Sequence, residues 1–424
     1  MLVYIFHMAT SGPIHAKRFA QRVVLFLGIT AFYVWHYLSQ WWLLKVQNDI
    51  GGGRGYRDLE SVLIAARCYE QIGASVYSAV ETCGYIYGIF LLQFIQFFNL
   101  DSINLVLLGG FFVLLGFLIL LGVAVFSART TRQAVVAFLL VTSPGPWLLF
   151  ERGNFDLLII PLILLAAVFI NSRLSIVAIL LIAFTALMKF YTLPLLLVYI
   201  LIEKRVLFRI VAAISICVVT PIILFDISRV SAGFPNQAFV TFGLPFPGLW
   251  LNFFAWRFGV PIELQGLQLY FLGYLIFFAC VYLMYFSPLR KRFSFEPLVP
   301  SVGPSLGKNI FLLFSSLYLF CFLAGMNYDH RLTTLIIALL LLNVVFPQNR
   351  PSRWFLIIQI AALWATIFFF GVTGPIHVFL AILGNICQLI LAVYLLGAIY
   401  RTLESSSTLK WVLQLSRKVS RKAL

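Results

Sequence analysis

Four short polar stretches interrupt an otherwise apolar chain, and each holds residue types that could do chemistry. The first centres on Asp58, just after Gly51, Gly52, Gly53 and Gly55. Glycines there let the backbone approach a ligand closely. Asp58 itself has two readings: an N-cap accepting a backbone N–H for a helix over 59–71, or a carboxylate at the lip of a membrane span, free to act as a general base. The second stretch is Glu151, Arg152, Gly153, Asn154, Phe155, Asp156. A plain hairpin with a Glu–Arg pair would explain it, yet a hairpin beside lipid does not need so many polar groups. Glu151, Asn154 and Asp156 therefore stand as substrate-binding or supporting groups, and Arg152 as a phosphate-binding cation. Third is Lys189, which breaks an apolar run and either snorkels to the interface or offers a point charge to a phosphate. Fourth is Asn327, Tyr328, Asp329, His330, Arg331. It reads as a polar hairpin with an Asp–Arg pair, or as a second phosphate site. In that second site Arg331 binds through its guanidinium fork, His330 donates a hydrogen bond or titrates, and the other three support.

The elements that must position these residues are membrane spans. The 424 residues are 62% hydrophobic and 10% charged, with a mean hydropathy of +1.01; soluble domains are nearer a quarter charged. Continuous apolar runs, rather than alternating ten-residue ones, mean helices and not a barrel. The run 23–44 is too long for a cleavable signal and reads as a retained first span. The fold class is all-α and polytopic, a single transmembrane domain over 1–424 with about a dozen spans. They are drawn at 23–44, 103–126, 134–150, 154–170, 174–188, 190–203, 207–225, 266–287, 310–326, 331–346, 354–371 and 376–400; 174–203 also reads as one helix broken near Lys189.

Charge sets the orientation. With twelve spans both termini share one side, and 21 of the 30 lysines and arginines fall there. By the positive-inside rule that side is cytoplasmic. It takes in an N-terminal segment 1–22 and a basic tail 401–424. The net charge of +16 is then topogenic, with no call for nucleic acid. Segment 85–100 must not cross, or every later loop flips, so it reads as a re-entrant or interfacial helix. It lies within a first outer loop, 45–102, that carries short interfacial helices. A second outer loop, 226–265, is rich in aromatics and prolines; it packs on lipid or meets a lipid-linked substrate. Asp226 falls in it. The polar stretches above all collect on the outer face. Cys68 and Cys83 share the first outer loop and pair if it is oxidising.

Asp58, Ala65, Ala66, Gly73, Tyr77, Tyr85, Ile86 and Tyr87, then Glu151, Arg152, Gly153, Asn154 and Asp156, then Lys189, Phe190, Tyr191 and Pro194, resemble in their order the GT-C superfamily of membrane glycosyltransferases. Within it they look most like glycosyltransferase family 87, which includes polyprenol-phosphate-mannose-dependent α-mannosyltransferases. The resemblance covers 58–194; Gly88 stands where that family usually has a proline. It implies an inner-membrane enzyme whose site faces away from the cytoplasm. A sugar would pass from a polyprenyl-phosphate donor to a lipid-linked or cell-envelope glycan acceptor. Anomeric inversion is implied, with Asp58 as the base. Arg152, Lys189, His330 and Arg331 would hold the leaving phosphate. No cofactor is demanded; the acidic residues can hold a divalent cation, but no spacing requires a metal site. The rival readings are a lipid or polysaccharide transporter or flippase, whose charges should line a central path, and an O-antigen-type polymerase, which would carry a larger late outer loop.

Overall fold

A computed structural model describes residues 12–39, 56–77, 83, 87–229, 241–261, 263–286, 300, 306–324, 327–328, 331–346, 353–365 and 375–404. The chain is helical, as continuous apolar runs require. In order the α-helices are α1 (Gly12–Ser39), α2 (Arg57–Ile72), α3 (Ile89–Phe97), α4 (Leu105–Ser127), α5 (Thr131–Val141), α6 (Pro144–Glu151), α7 (Asp156–Phe169) and α8 (Ser175–Met188). They continue as α9 (Leu195–Ile202), α10 (Val206–Arg229), α11 (Phe246–Arg257), α12 (Leu267–Tyr285), α13 (Leu306–Ala324), α14 (Leu332–Val345), α15 (Arg353–Trp364) and α16 (Pro375–Glu404).

Among the described residues five helices are long and apolar enough to cross a membrane, or six if α5 and α6 form one span bent by 42°. Shorter apolar helices, α7, α8, α9, α14 and α15 among them, fill out the bundle. The most apolar part of α13 is 67% buried, against 17% for α10. The first is therefore the hub of the bundle, and the second shows most of its surface outward, where lipid would cover it.

Several expectations shift. The helix expected over 59–71 starts earlier, at Arg57. Its N-cap is Tyr56, in the left-handed conformation and with no side-chain cap. Asp58 is thus not the N-cap. Segment 85–100 contains α3, whose nine residues rise only about 13 Å, too little to cross. Segment 226–265 is not all loop: Asp226 lies in α10 and α11 occupies its middle. Residues 241–242 pair antiparallel with 327–328, Thr241 opposite Tyr328 and Phe242 opposite Asn327. Asn327 and Tyr328, expected in a turn, are thus a two-residue strand tying the aromatic segment to the start of α14. Asp329 and His330 lie outside the described residues.

The 174–203 region is a hairpin rather than one broken helix. Ser175, at the start of α8, donates to Glu203, just past α9. Tyr199 donates to the same carboxylate at 3.1 Å, and Arg205 grips it through Nε at 2.9 Å and Nη2 at 3.1 Å. The backbone N–H of Asn171, past the far end of α7, adds a bond at 3.2 Å. One end of α7, α8 and α9 is therefore knotted around Glu203, beside Arg173, Lys204, Arg205 and Arg209; the opposite end holds Asp156 and Lys189.

Burial works to raise the Glu203 pKa, but hydrogen bonds from Arg205, Ser175 and the backbone of Arg205 and Asn171 outweigh it and lower the pKa from 4.5 to about 2. A depressed carboxylate pKa contributes stability above the unfolded value, lost as pH falls through the folded one. The detergent-solubilised protein should lose thermal stability between about pH 4.5 and 2, and Glu203→Gln should be less stable at neutral pH with a flatter profile in that window. An unchanged profile in the variant would remove Glu203 as the source.

Candidate active site

The site is built at the ends of helices. The α5–α6 break at Thr142 and Ser143 aims α6 at the Asp156 end of α7, and both residues close the end of α5 with backbone and side chain together: Thr142 Oγ1 donates to Phe138 O at 2.7 Å and Ser143 Oγ to Leu140 O at 2.7 Å, carbonyls that also accept the N–H of the same residue. After α6 the chain turns sharply at Gly153, with φ of +57°. Asn154 Oδ1 then accepts the backbone N–H of Asp156 at 3.0 Å, holding the first turn of α7.

Helix α2 docks on this turn through its backbone. The Tyr56 N–H donates to Glu151 O at 2.7 Å, and the Asp58 N–H to Arg152 O at 3.0 Å. Tyr56 is an L-residue with φ of +64°, a strained state that persists only where surroundings enforce it. Two glycines make room for it: a Cβ on Gly109 would lie 2.6 Å from the Tyr56 ring, and one on Gly153 would lie 3.0 Å from it. Gly109→Ala is therefore expected to cost about 1–3 kcal/mol by overpacking and to displace Asp58. Gly110→Ala, where an added methyl meets nothing within 4 Å, is the matched control. Equal unfolding temperatures for the two variants would refute the seat.

The docking brings together side chains almost a hundred residues apart. Asp58 Oδ1 accepts from Arg152, with Nε at 2.8 Å and Nη2 at 2.5 Å. Asp58 Oδ2 accepts from Asn154 Nδ2 at 2.6 Å. Asn154 Oδ1 in turn accepts from Lys189 Nζ at 2.5 Å. A lysine can only donate and a carboxylate only accept, so these partners fix the orientation of the Asn154 amide. Lys189 also donates to Asp156 Oδ1 at 2.6 Å, as does the Tyr191 hydroxyl, again at 2.6 Å. Arg331 Nε lies 3.8 Å from Asp156 Oδ2. Aromatic faces complete the cage: the Tyr87 ring is 4.7 Å from Lys189 Nζ, and the Tyr191 ring 4.5 Å from the Arg331 guanidinium carbon.

Burial is graded along this chain. Lys189 is only 1% exposed, so it does not snorkel. The Asp58 and Arg152 side chains are 18% and 20% exposed. The network is therefore closed in its middle, at Lys189 and Asp156, and opens toward both ends, at Asp58 and at Arg331, whose side chain is 16% exposed. Two carboxylates, Asp58 and Asp156, are thus paired with three cations, Arg152, Lys189 and Arg331, as burial of ions requires.

Of the expected site residues, Asp58, Arg152, Asn154, Asp156, Lys189 and Arg331 are brought into this network. Glu151 adjoins it through its backbone, but its side chain does not pair with Arg152 as a simple hairpin would have it. The side chains of Asn327 and Tyr328, and all of Asp329 and His330, lie outside the described residues, so an Asp329–Arg331 pair does too. The sequence reading missed Tyr56 and Gly109. It also placed Asp226 in a loop. Its buried carboxylate instead accepts the Ile89 N–H at 3.1 Å, a negative charge at the start of α3 that holds the segment carrying Tyr87. An aspartate at the end of an apolar run was the available signal. Cys68 and Cys83 form a disulfide that ties the last turns of α2 to the segment before α3. No group of three or more His, Cys, Asp or Glu suited to a metal ion occurs among the described residues.

Compared with protein-family models, with curated proteins and with solved structures, the chain matches none. Its function must therefore be argued from the chemistry of the site.

Proposed function

We propose that the protein is a membrane glycosyltransferase. It moves a sugar from a polyprenyl-phosphate donor to a lipid-linked or cell-envelope glycan acceptor, with inversion, at a site facing away from the cytoplasm. The observation that carries this reading is the continuous polar chain from Asp58 to Arg331, built by four segments distant in sequence. A scaffold protein has no use for it, since buried ions destabilise unless they are paired.

In this reading the Asp58 end is the reaction end. Asp58 takes the proton of the attacking acceptor hydroxyl. The bond from the anomeric carbon to the phosphate oxygen breaks, and the lipid phosphate leaves with its electron pair. Arg152 and Arg331, each partly exposed, supply the positive donors that meet the developing charge; Lys189, buried behind them on Asn154 and Asp156, adds its charge without touching the anion. Because the cations are held by carboxylates and aromatic faces, they need little reorganisation when the phosphate arrives. The full twelve-span topology, the inner-membrane location and both termini inside belong to this same proposal. The Cys68–Cys83 disulfide supports an oxidising side for α2, and the basic cluster around Glu203 supports a cytoplasmic opposite end.

The transporter reading draws on one specific feature, Lys189 at the tip of a broken hairpin. Mass spectrometry of lipid-linked glycans from cells with and without the protein separates the two. The transferase reading expects a glycan one sugar shorter to accumulate when the protein is absent. Purified protein that moves lipid across liposomes and forms no covalent product would sink it.

A further inference from the structure

The far end of α7, α8 and α9, away from the proposed reaction, is organised around charge. Glu203 is the one acidic residue between Asp156 and Asp226, while Arg173, Lys204, Arg205 and Arg209 all belong to the two turns there. The turns are stitched together. Asn171, with φ of +63°, gives its N–H to Glu203 Oε2 at 3.2 Å and takes the Lys204 N–H on Oδ1 at 3.2 Å. The turn carrying Arg173 is thereby joined to the segment carrying Lys204 and Arg205.

Glu203 has no capacity left for the other cations. Its Oε1 accepts from the N–H groups of Lys204 and Arg205 at 3.0 and 3.1 Å and from Arg205 Nε at 2.9 Å. Its Oε2 accepts from Asn171, Ser175, Tyr199 and Arg205 Nη2. Arg209 is held by its Nε on the Glu203 carbonyl at 2.6 Å. Arg173 and Lys204 are exposed, and neither forms an ion pair among the described residues. Four cations against one carboxylate leave a surplus of three positive charges at this spot. The surroundings are apolar: Leu174, Val206, Leu207 and Ile210 are each more than half exposed. Three of these four open α10, which turns most of its surface outward. Topogenic charge needs only a side of the membrane. Here the charges have a fixed place, set by a saturated carboxylate, on a wall that lipid covers.

We propose that this cluster binds the headgroup of an anionic phospholipid. The phosphodiester lies on Arg173 and Lys204, backed by the anchored Arg205 and Arg209, and the hydrocarbon tails follow the outward face of α10. Phosphate oxygens accept and these side chains donate, so the charges and the hydrogen bonds match together. A soluble anion would meet the same cations but leave Val206, Leu207 and Ile210 uncovered. The proposal is independent of the transferase reading.

The test reads thermal unfolding of the full chain in phosphatidylcholine nanodiscs doped with phosphatidylglycerol, because a ligand that binds the folded state raises the unfolding temperature. Wild type should be stabilised as the phosphatidylglycerol fraction rises, and less so at high salt. Arg173→Gln combined with Lys204→Gln should match wild type in pure phosphatidylcholine, since both side chains are exposed. It should bind phosphatidylglycerol roughly 30-fold more weakly, the combined worth of two basic residues near an anionic surface. Arg129→Gln combined with Arg132→Gln removes as much charge at the α4–α5 junction and should keep the wild-type response. An equal loss in that control would reduce the effect to general surface charge and overturn the site. So would a wild type indifferent to phosphatidylglycerol, or an undiminished response in the Arg173 and Lys204 variant. A variant already less stable in pure phosphatidylcholine would make the pair structural. Equal stabilisation by inorganic phosphate in pure phosphatidylcholine would replace the lipid with a soluble anion.

Discussion

Asp58→Asn is expected to leave the protein folded and to lower sugar transfer by about 10²- to 10⁴-fold, the usual worth of a positioned general base. The substitution keeps the side-chain volume but removes the negative charge and one acceptor. Oδ1 now takes both Arg152 nitrogens, and Oδ2 takes Asn154 Nδ2 at 2.6 Å. An asparagine amide must turn its own NH₂ toward one of these donors, so one bond is lost and Arg152 is loosened. The side chains are partly exposed, 18% for Asp58 and 20% for Arg152, so water can take over the lost bond and the stability cost stays near or below about 1 kcal/mol. Transfer rate and unfolding temperature measured on one preparation separate the two effects. Full transfer by the variant would remove Asp58 as the base; a collapse of stability with it would make Asp58 a structural residue.

The second large effect concerns stability. Lys189→Met retains the length of the side chain and strips its charge from a setting only 1% exposed. Asp156, itself buried, then keeps Tyr191 and the more distant Arg331 at 3.8 Å but loses its closest cation at 2.6 Å. Breaking a buried pair from one side costs about 3–5 kcal/mol, and here the charge left behind has no water and keeps only a hydroxyl and a cation at 3.8 Å. A pronounced fall in unfolding temperature is expected. Adding Asp156→Asn to Lys189→Met should recover part of that loss, because the two groups are coupled, while transfer stays absent. If the single variant is as stable as wild type, Asp156 is not held as an ion and the charge balance of the site is different.

Much of this arrangement was legible in the sequence, for one reason. Ionisable groups beside or within apolar runs are costly, so Asp58, Arg152, Asp156, Lys189 and Arg331 stood out and had to meet. Their partners were harder to read. Glu151 and Arg152 look like a natural pair, yet on a helix the side chains of adjacent residues point apart, and Arg152 reaches 94 positions back to Asp58. Asp58 passed for an N-cap because an aspartate near a helix start usually is one; Tyr56 took that place in a conformation that no propensity predicts for a tyrosine. Gly109 was unreadable for a related reason, since its smallness answers to a ring from another helix. Span counting met a different limit. Apolar runs of similar length became long spans, a bent pair or short hairpin arms, and those outcomes depend on tertiary packing rather than local composition.

The short α7–α8–α9 unit has a consequence for the surrounding bilayer. With 14 residues each, α7 and α8 rise about 21 Å, and both ends are finished by charged groups. Hydrocarbon about 30 Å thick does not fit between them. Lipid touching this part of the protein must thin, or the site must lie in a dimple beneath the headgroup plane. In the proposed transferase, a phosphate carried on a long isoprenoid would then reach the cations while its tail stays among the acyl chains. Acyl-chain length becomes a mechanical variable, and bilayers of shorter lipids hold this wall of the site with less strain.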